Sequence, residues 1–127
     1  MILEMKSKKG LDETCRDLEK AVTDHGFNVM AVHDLKKSME KHGLTFDREC
    51  RILEICNARK AREVLYGDMR ISMALPCRIS VFEAGGEVTL ASLSPTVMLA
   101  QFNTPALQGV AQEVEEAISK IMKVAAG

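Results

Sequence analysis

CRISVFEAGGEVTLASL, at positions 77–93, is the stretch that decides the fold of this 127-residue chain. In its first half apolar and polar residues alternate, with Ile79 and Val81 on one face, as in a half-buried strand. The Gly85–Gly86 pair accepts the positive φ angles that a tight two-residue turn requires. The stretch therefore predicts an antiparallel hairpin with strands over residues 77–83 and 87–93.

Strand-like and helical segments alternate on either side of this hairpin. Further strands are predicted over residues 2–8, 27–32 and 48–56, and helices over residues 11–25, 35–42 and 58–66. Asp12, Asp34 and Asn57 are predicted to cap these helices, because their side-chain oxygens accept hydrogen bonds from unpaired backbone N–H groups. Ser94–Pro95 predicts a cap followed by proline at the first helical position, and Thr104–Pro105 repeats this pattern at the start of the longest helix.

The order of these segments predicts an α+β fold of two layers. Strands joined by hairpins and separated by single helices favour a mostly antiparallel sheet with the helices packed on one face. The second face of the sheet is then either solvated or covered by another subunit. Because the apolar runs 71–75 and 97–102 are too hydrophobic for a solvated surface, we expect a homodimer.

Composition restricts the classes of function. Hydrophobic residues make up 46% of the chain, and 17 basic residues face 18 acidic ones, for a net charge of −1. Proteins that bind nucleic acid or anionic membranes usually carry a basic excess, so we expect neither partner. No uncharged run approaches the length of a membrane span, and the first residues lack the charge order of a signal peptide. We therefore expect a cytoplasmic protein forming a single domain over residues 1–127.

Four segments carry a resemblance to a known family. They are GFNV (26–29), ILEICNARKA (52–61), ISMALPCRISVFE (71–83) and SPTVMLAQFNTPALQGVAQEV (94–114). Together they resemble the domain of unknown function 302 family over nearly the whole chain. The most specific elements are the Cys56–Asn57 pair, the Leu75-Pro76-Cys77 triplet and the hairpin that ends at Pro95.

The resemblance implies a fold and no activity. It implies a small α+β protein similar to the arrangement β-α-β(4)-α, which forms a dimer. The family usually has proline after the Cys-Asn pair, whereas this chain has Ala58, a change at the helix start that leaves the thiol in place. No cofactor and no reaction follow from the family, which has none assigned.

Two of the four cysteines are the leading candidates for chemistry. The chain has no Cys-x-x-Cys motif, so reduced thiols are expected, and buried packing is the most common role of a free cysteine. Cys56 ends a strand just before the helix capped by Asn57, where unpaired N–H groups favour an anion and predict a lowered thiol pKa. If the strands ending at Cys56 and beginning at Cys77 are adjacent and antiparallel, both thiols meet at one end of the sheet. Such a pair suits a soft metal such as Cu(I), or redox cycling.

His33 is a weaker candidate for a metal or haem ligand. It precedes Asp34, whose carboxylate is positioned to orient the imidazole ring. On an antiparallel pairing, however, His33 lies at the opposite end of the strand from Cys56, so a single Cys-His site within one chain is not expected. A surface histidine beside a helix cap is the simpler interpretation.

Three functions are compatible with these residues. The first is a small binding or sensor module that holds a soft metal, haem or a sulfur ligand near Cys56, Asn57 and Cys77. The second is an interaction module that dimerises and has no small-molecule site. The third, a thiol-dependent redox enzyme with Cys56 as nucleophile, has the least support, because no general base lies near Cys56 in the sequence.

Overall fold

The 77–93 hairpin lies inside a five-stranded sheet in a computed structural model that describes residues 1–127. The strands are β1 (Ile2–Lys6), β2 (Asn28–Asp34), β3 (Cys50–Cys56), β4 (Cys77–Ala84) and β5 (Glu87–Leu93). Their order across the sheet is β1-β5-β4-β3-β2, and every neighbouring pair is antiparallel. Gly85 and Gly86 form the predicted turn, with φ angles of 61° and 78°.

Helices follow the order that the sequence pattern predicts, with additional short turns. The α-helices are α1 (Leu11–Asp24), α2 (Leu35–Lys41), α3 (Ala58–Gly67), α4 (Pro95–Ala100) and α5 (Gln108–Ala126), and 3-10 helices span Met69–Ala74 and Pro105–Leu107. The order β1, α1, four strands and α5 is the β-α-β(4)-α arrangement, so the α+β fold is confirmed. Thr104–Pro105 opens only the 3-10 turn, and the longest helix begins after it. None of the helices combines the length and the hydropathy of a membrane span.

The caps predicted at Asp34 and Asn57 are confirmed, and the cap predicted at Asp12 is wrong. The side chain of Asp34 accepts a hydrogen bond from the backbone N–H of Lys37 at 3.1 Å. Asp12 is not a cap, because helix α1 begins one residue earlier, with buried Leu11 as its first residue and Gly10 at the cap position. The Asp12 carboxylate instead lies 2.8 Å from the Arg51 guanidinium, which fastens α1 to strand β3.

Two apolar clusters stabilise the molecule. The larger contains 17 buried residues and lies between helices α1 and α5 and one face of the sheet, which confirms the two-layer prediction. The smaller contains six buried residues, which come from α3, the two 3-10 helices, α4 and the start of α5. We call it the second cluster: Val64, Ile71, Leu99, Leu107, Val110 and Ala111.

The apolar runs 71–75 and 97–102 belong largely to the second cluster, which corrects the reason for expecting a dimer. Ile71 is fully buried and Leu99 is only 6% exposed within the single chain. These runs are apolar because they pack on helices α3 and α5. The uncovered area is instead the sheet face opposite α1 and α5, which we call the open face.

Candidate functional site

An apolar pocket lies where the ends of strands β3 and β4 meet helices α3, α4 and α5. Sixteen residues line it, and thirteen of them are hydrophobic. Cys56, Asn57 and Cys77, which the sequence singled out, are all among them. We call this cavity the thiol pocket; its other walls include Ile55, Val64, Leu75, Met98, Val110 and Val114.

Strand register brings the two cysteines to the same end of the sheet. Ile55 on β3 lies directly opposite Cys77 on β4, so Cys56 is one position beyond the partner of Cys77. Neighbouring side chains on a strand point to opposite faces. Cys56, the last residue of β3, is therefore offset from Cys77 rather than directly opposite it, yet both thiols border the same pocket, and both are free rather than joined in a disulfide.

Asn57 fixes the turn between β3 and α3, as predicted. Its side-chain oxygen accepts a hydrogen bond from the Lys60 backbone N–H at 3.2 Å, and its amide nitrogen donates to the Gly26 carbonyl at 3.4 Å. The first bond satisfies an N–H group at the start of α3. Asn57 is therefore a structural cap on the wall of the pocket.

The electrostatics of the thiols differ from the sequence prediction. Burial raises the pKa of Cys56, so the expected lowering was wrong. Burial, with a smaller contribution from the charge of Cys56, raises the pKa of Cys77 to about 11. Lys60, the one cationic residue on the lining, forms an ion pair with Glu113. The apolar walls therefore dominate, and both thiols are neutral near pH 7.

A second cavity adjoins the thiol pocket. Eight residues line it, its volume is about 210 Å³, and the volume of the thiol pocket itself is about 40 Å³. We call it the outer pocket; it shares Ala74, Leu75, Cys77 and Met98 with the thiol pocket. Sequence reasoning missed Met98, whose only signal was its place within an apolar run.

Helix α4, which carries Met98, is fixed by a carboxylate from helix α5. Glu115 accepts hydrogen bonds from the backbone N–H of Thr96 at 3.2 Å and from its hydroxyl at 2.8 Å, and also from the Ser94 hydroxyl. Burial opposes ionisation of Glu115, but these hydrogen bonds outweigh it and lower the pKa of the carboxyl. Ser94 thus occupies the predicted cap position before Pro95, but its hydroxyl donates to Glu115 instead of accepting a hydrogen bond from the helix.

His33 does not join the thiols. It lies within β2 opposite Ile52, whereas Cys56 pairs with Asn28 at the other end of that strand. The His33 Nε2 atom is 2.6 Å from a carboxylate oxygen of Glu54, while Asp34 is occupied as a helix cap. The set Cys56, Cys77 and His33 is therefore not assembled within one chain, and no group of three or more His, Cys, Asp or Glu side chains is arranged to hold a metal ion.

The fold and the pocket define a small α+β protein with a cysteine-bordered cavity at one end of an antiparallel sheet. The chain belongs to the family described as Domain of unknown function DUF302, whose sequence profile matches residues 3–125. It is similar to a crystal structure of an uncharacterized conserved DUF302 protein from Bacillus stearothermophilus, with a TM-score of 0.92 and 26% identity. That similarity covers 98% of this chain and 97% of the other. No curated protein matches the sequence.

Proposed function

We propose that this chain is a small binding module whose ligand bonds to the sulfur atoms of the thiol pocket. The observation that carries the proposal is that two free cysteines, Cys56 and Cys77, border one largely apolar cavity. The offset register favours a ligand between the thiols over a direct disulfide. The ligand chemistry is thiophilic, either a soft metal ion or a sulfur species, and the thiols must stay reduced, as in the cytoplasm.

The size of the cavity argues against haem. A volume of about 40 Å³ holds roughly three water molecules. A porphyrin needs far more space, and His33, the candidate axial ligand, lies elsewhere on the sheet. A single ion or sulfur atom fits without displacement of the walls.

The environment of the thiols also gives no support to a redox enzyme. A nucleophilic cysteine needs a lowered pKa or a neighbouring base. Here burial raises the pKa of both Cys56 and Cys77, and the lining contains no carboxylate or imidazole. Binding is therefore the function that this pocket supports best.

Anaerobic titration of the reduced protein with Cu(I) and, separately, with inorganic polysulfide tests the proposal. We expect either one equivalent of Cu(I) or one added sulfur atom, seen by mass spectrometry. In the polysulfide reaction the thiol sulfur bonds to a terminal sulfur, and the shortened polysulfide leaves with the thiol proton. Binding should be lost in Cys77→Ser and weakened in Cys56→Ser.

Cys50→Ser is the matched control, because Cys50 lies at the other end of β3 and does not line the pocket. Unchanged spectra and masses with both reagents would remove the proposal. So would equal uptake by the parent and the Cys77→Ser variant, since it would locate the reaction at another thiol.

We also propose that the open face of the sheet binds a second copy of the chain. Ile2 and Leu93 lie directly opposite each other on this face and are 63% and 60% exposed. Charges of both signs surround them, including Arg78, which is 3.9 Å from Glu54. A surface with an apolar pair and balanced charges can complement itself around a two-fold axis.

Replacing Leu93 by Glu should separate the dimer. A buried apolar contact at the centre of an interface contributes about 2 kcal/mol, and two-fold symmetry repeats the loss in both copies, so dissociation should become about 1,000-fold easier. Sedimentation equilibrium over a range of concentrations measures this change. Val124→Glu, on helix α5, is the control, since Val124 is similarly exposed but lies in the other layer. A monomeric parent chain would contradict the proposal.

A further inference from the structure

Four sulfur-bearing residues line the two adjoining cavities. Met73 is 76% exposed and lines the outer pocket. Met98 and Cys77 line both cavities, and Cys56 lines only the inner one. Of the four residues that the two cavities share, Met98 and Cys77 are the only ones with a side-chain atom able to coordinate a ligand.

We propose that the thiol pocket is a copper(I) site in which Met98 supplies a third sulfur ligand beside Cys77 and Cys56. This inference rests on the proposed function and names its ligand class. Thiolate donors suit both Cu(I) and Zn²⁺, whereas a thioether donor favours the softer Cu(I), and Mg²⁺ and Ca²⁺ prefer oxygen donors.

The thioether of Met98 favours a metal ion over a sulfur species as the ligand of the thiol pocket. A thioether has no proton to lose and does not form a persulfide, so it contributes nothing to the retention of a sulfur atom by a thiol. It does donate a lone pair to Cu(I). The position of Met98 at the junction of the cavities therefore favours the metal.

Charge beside the thiol pocket does not oppose a monovalent cation strongly. Arg78 is the only charged residue that lines the outer pocket. Its guanidinium lies 3.9 Å from Glu54, and its side chain is 65% exposed, so solvent and the carboxylate both screen it.

The binding step is balanced without an oxidant. Cu(I) keeps its oxidation state, each cysteine that binds as thiolate releases one proton to solvent, and Met98 releases none. The step therefore needs only the ion and a proton acceptor in the buffer.

Competition with a colorimetric Cu(I) chelator measures the affinity in Met98→Leu, Met73→Leu and Met30→Leu. Leucine conserves the volume of methionine, so the variants should fold. We expect Met98→Leu to weaken Cu(I) binding at least about tenfold, and X-ray absorption should count one fewer sulfur around copper. Met73→Leu changes a residue that lines only the outer pocket and should leave the affinity unchanged. Met30, which is exposed on strand β2, serves as the control and should change neither quantity.

Separate outcomes overturn the two proposals. If the parent binds Cu(I) and Cys77→Ser abolishes binding, but Met98→Leu retains the parent affinity and sulfur count, the copper-site inference is wrong and the thiol-binding function stands. If the parent takes up sulfur from polysulfide but binds no Cu(I), the copper-site inference is again wrong and the thiol-binding function stands. If it takes up neither, both proposals are wrong.

Discussion

Cys77 is expected to react with iodoacetamide about 200-fold more slowly at pH 8 than an ordinary exposed cysteine, whose pKa is about 8.5. Alkylation requires the thiolate, and burial raises the pKa of Cys77 to about 11. At pH 8 a thiol with that pKa is almost entirely protonated. Its rate should therefore rise about tenfold for each pH unit until the pH approaches 11.

Peptide mapping by mass spectrometry gives the rate for each cysteine separately. The chain unfolded in denaturant is the control, because all four cysteines should then react with the same ordinary pH profile. Reaction of native Cys77 with a midpoint near pH 8.5 or below would contradict the environment described for the thiol pocket and would reopen the case for a nucleophilic cysteine.

Local sequence signals predicted most of the fold. The hairpin follows from the alternation just before Gly85–Gly86. The caps at Asp34 and Asn57 bond to N–H groups only three residues away, so these features can be recognised in the sequence. The partner of the Ser94 hydroxyl could not be predicted, because it is Glu115, a residue 21 positions away. Asp12 was misassigned for a similar reason, since its partner Arg51 belongs to a distant strand.

The sequence predicted the position of the candidate site correctly, but it did not predict the direction of the thiol pKa shifts. Strand order alone brings Cys56 and Cys77 to one end of the sheet. The direction of the pKa shift depends on apolar walls that come from α3, α4 and α5, whose packing a linear sequence does not display. The helix-terminus argument for Cys56 considered only the neighbouring N–H groups and left out burial, which raises the pKa of the thiol.

Ile71→Ala is expected to lower the free energy of unfolding by about 3 kcal/mol. Ile71 is fully buried in the second cluster, where it packs among residues from α3, α4 and α5. Truncation removes apolar contact and leaves a cavity in a cluster of only six buried residues. Urea denaturation measures the loss.

The same substitution should also open the thiol pocket locally. The 3-10 helix Met69–Ala74 carries Ile71 and supplies Ala74 to the wall beside Cys77. Loosening that helix exposes the thiol without unfolding the sheet, because segments held by small clusters open at lower free energy than the main core. Native-state alkylation of Cys77 should therefore be faster in Ile71→Ala than in the parent.

Ile118→Ala separates local opening from global destabilisation. Ile118 is also fully buried, but it belongs to the larger cluster between α5 and the sheet. We expect a similar loss of about 3 kcal/mol from this change, with Cys77 alkylation limited by global unfolding. Equal acceleration of alkylation in both variants would mean that the two clusters unfold as one unit. Acceleration confined to Ile71→Ala would mean that the second cluster alone controls access to the thiols.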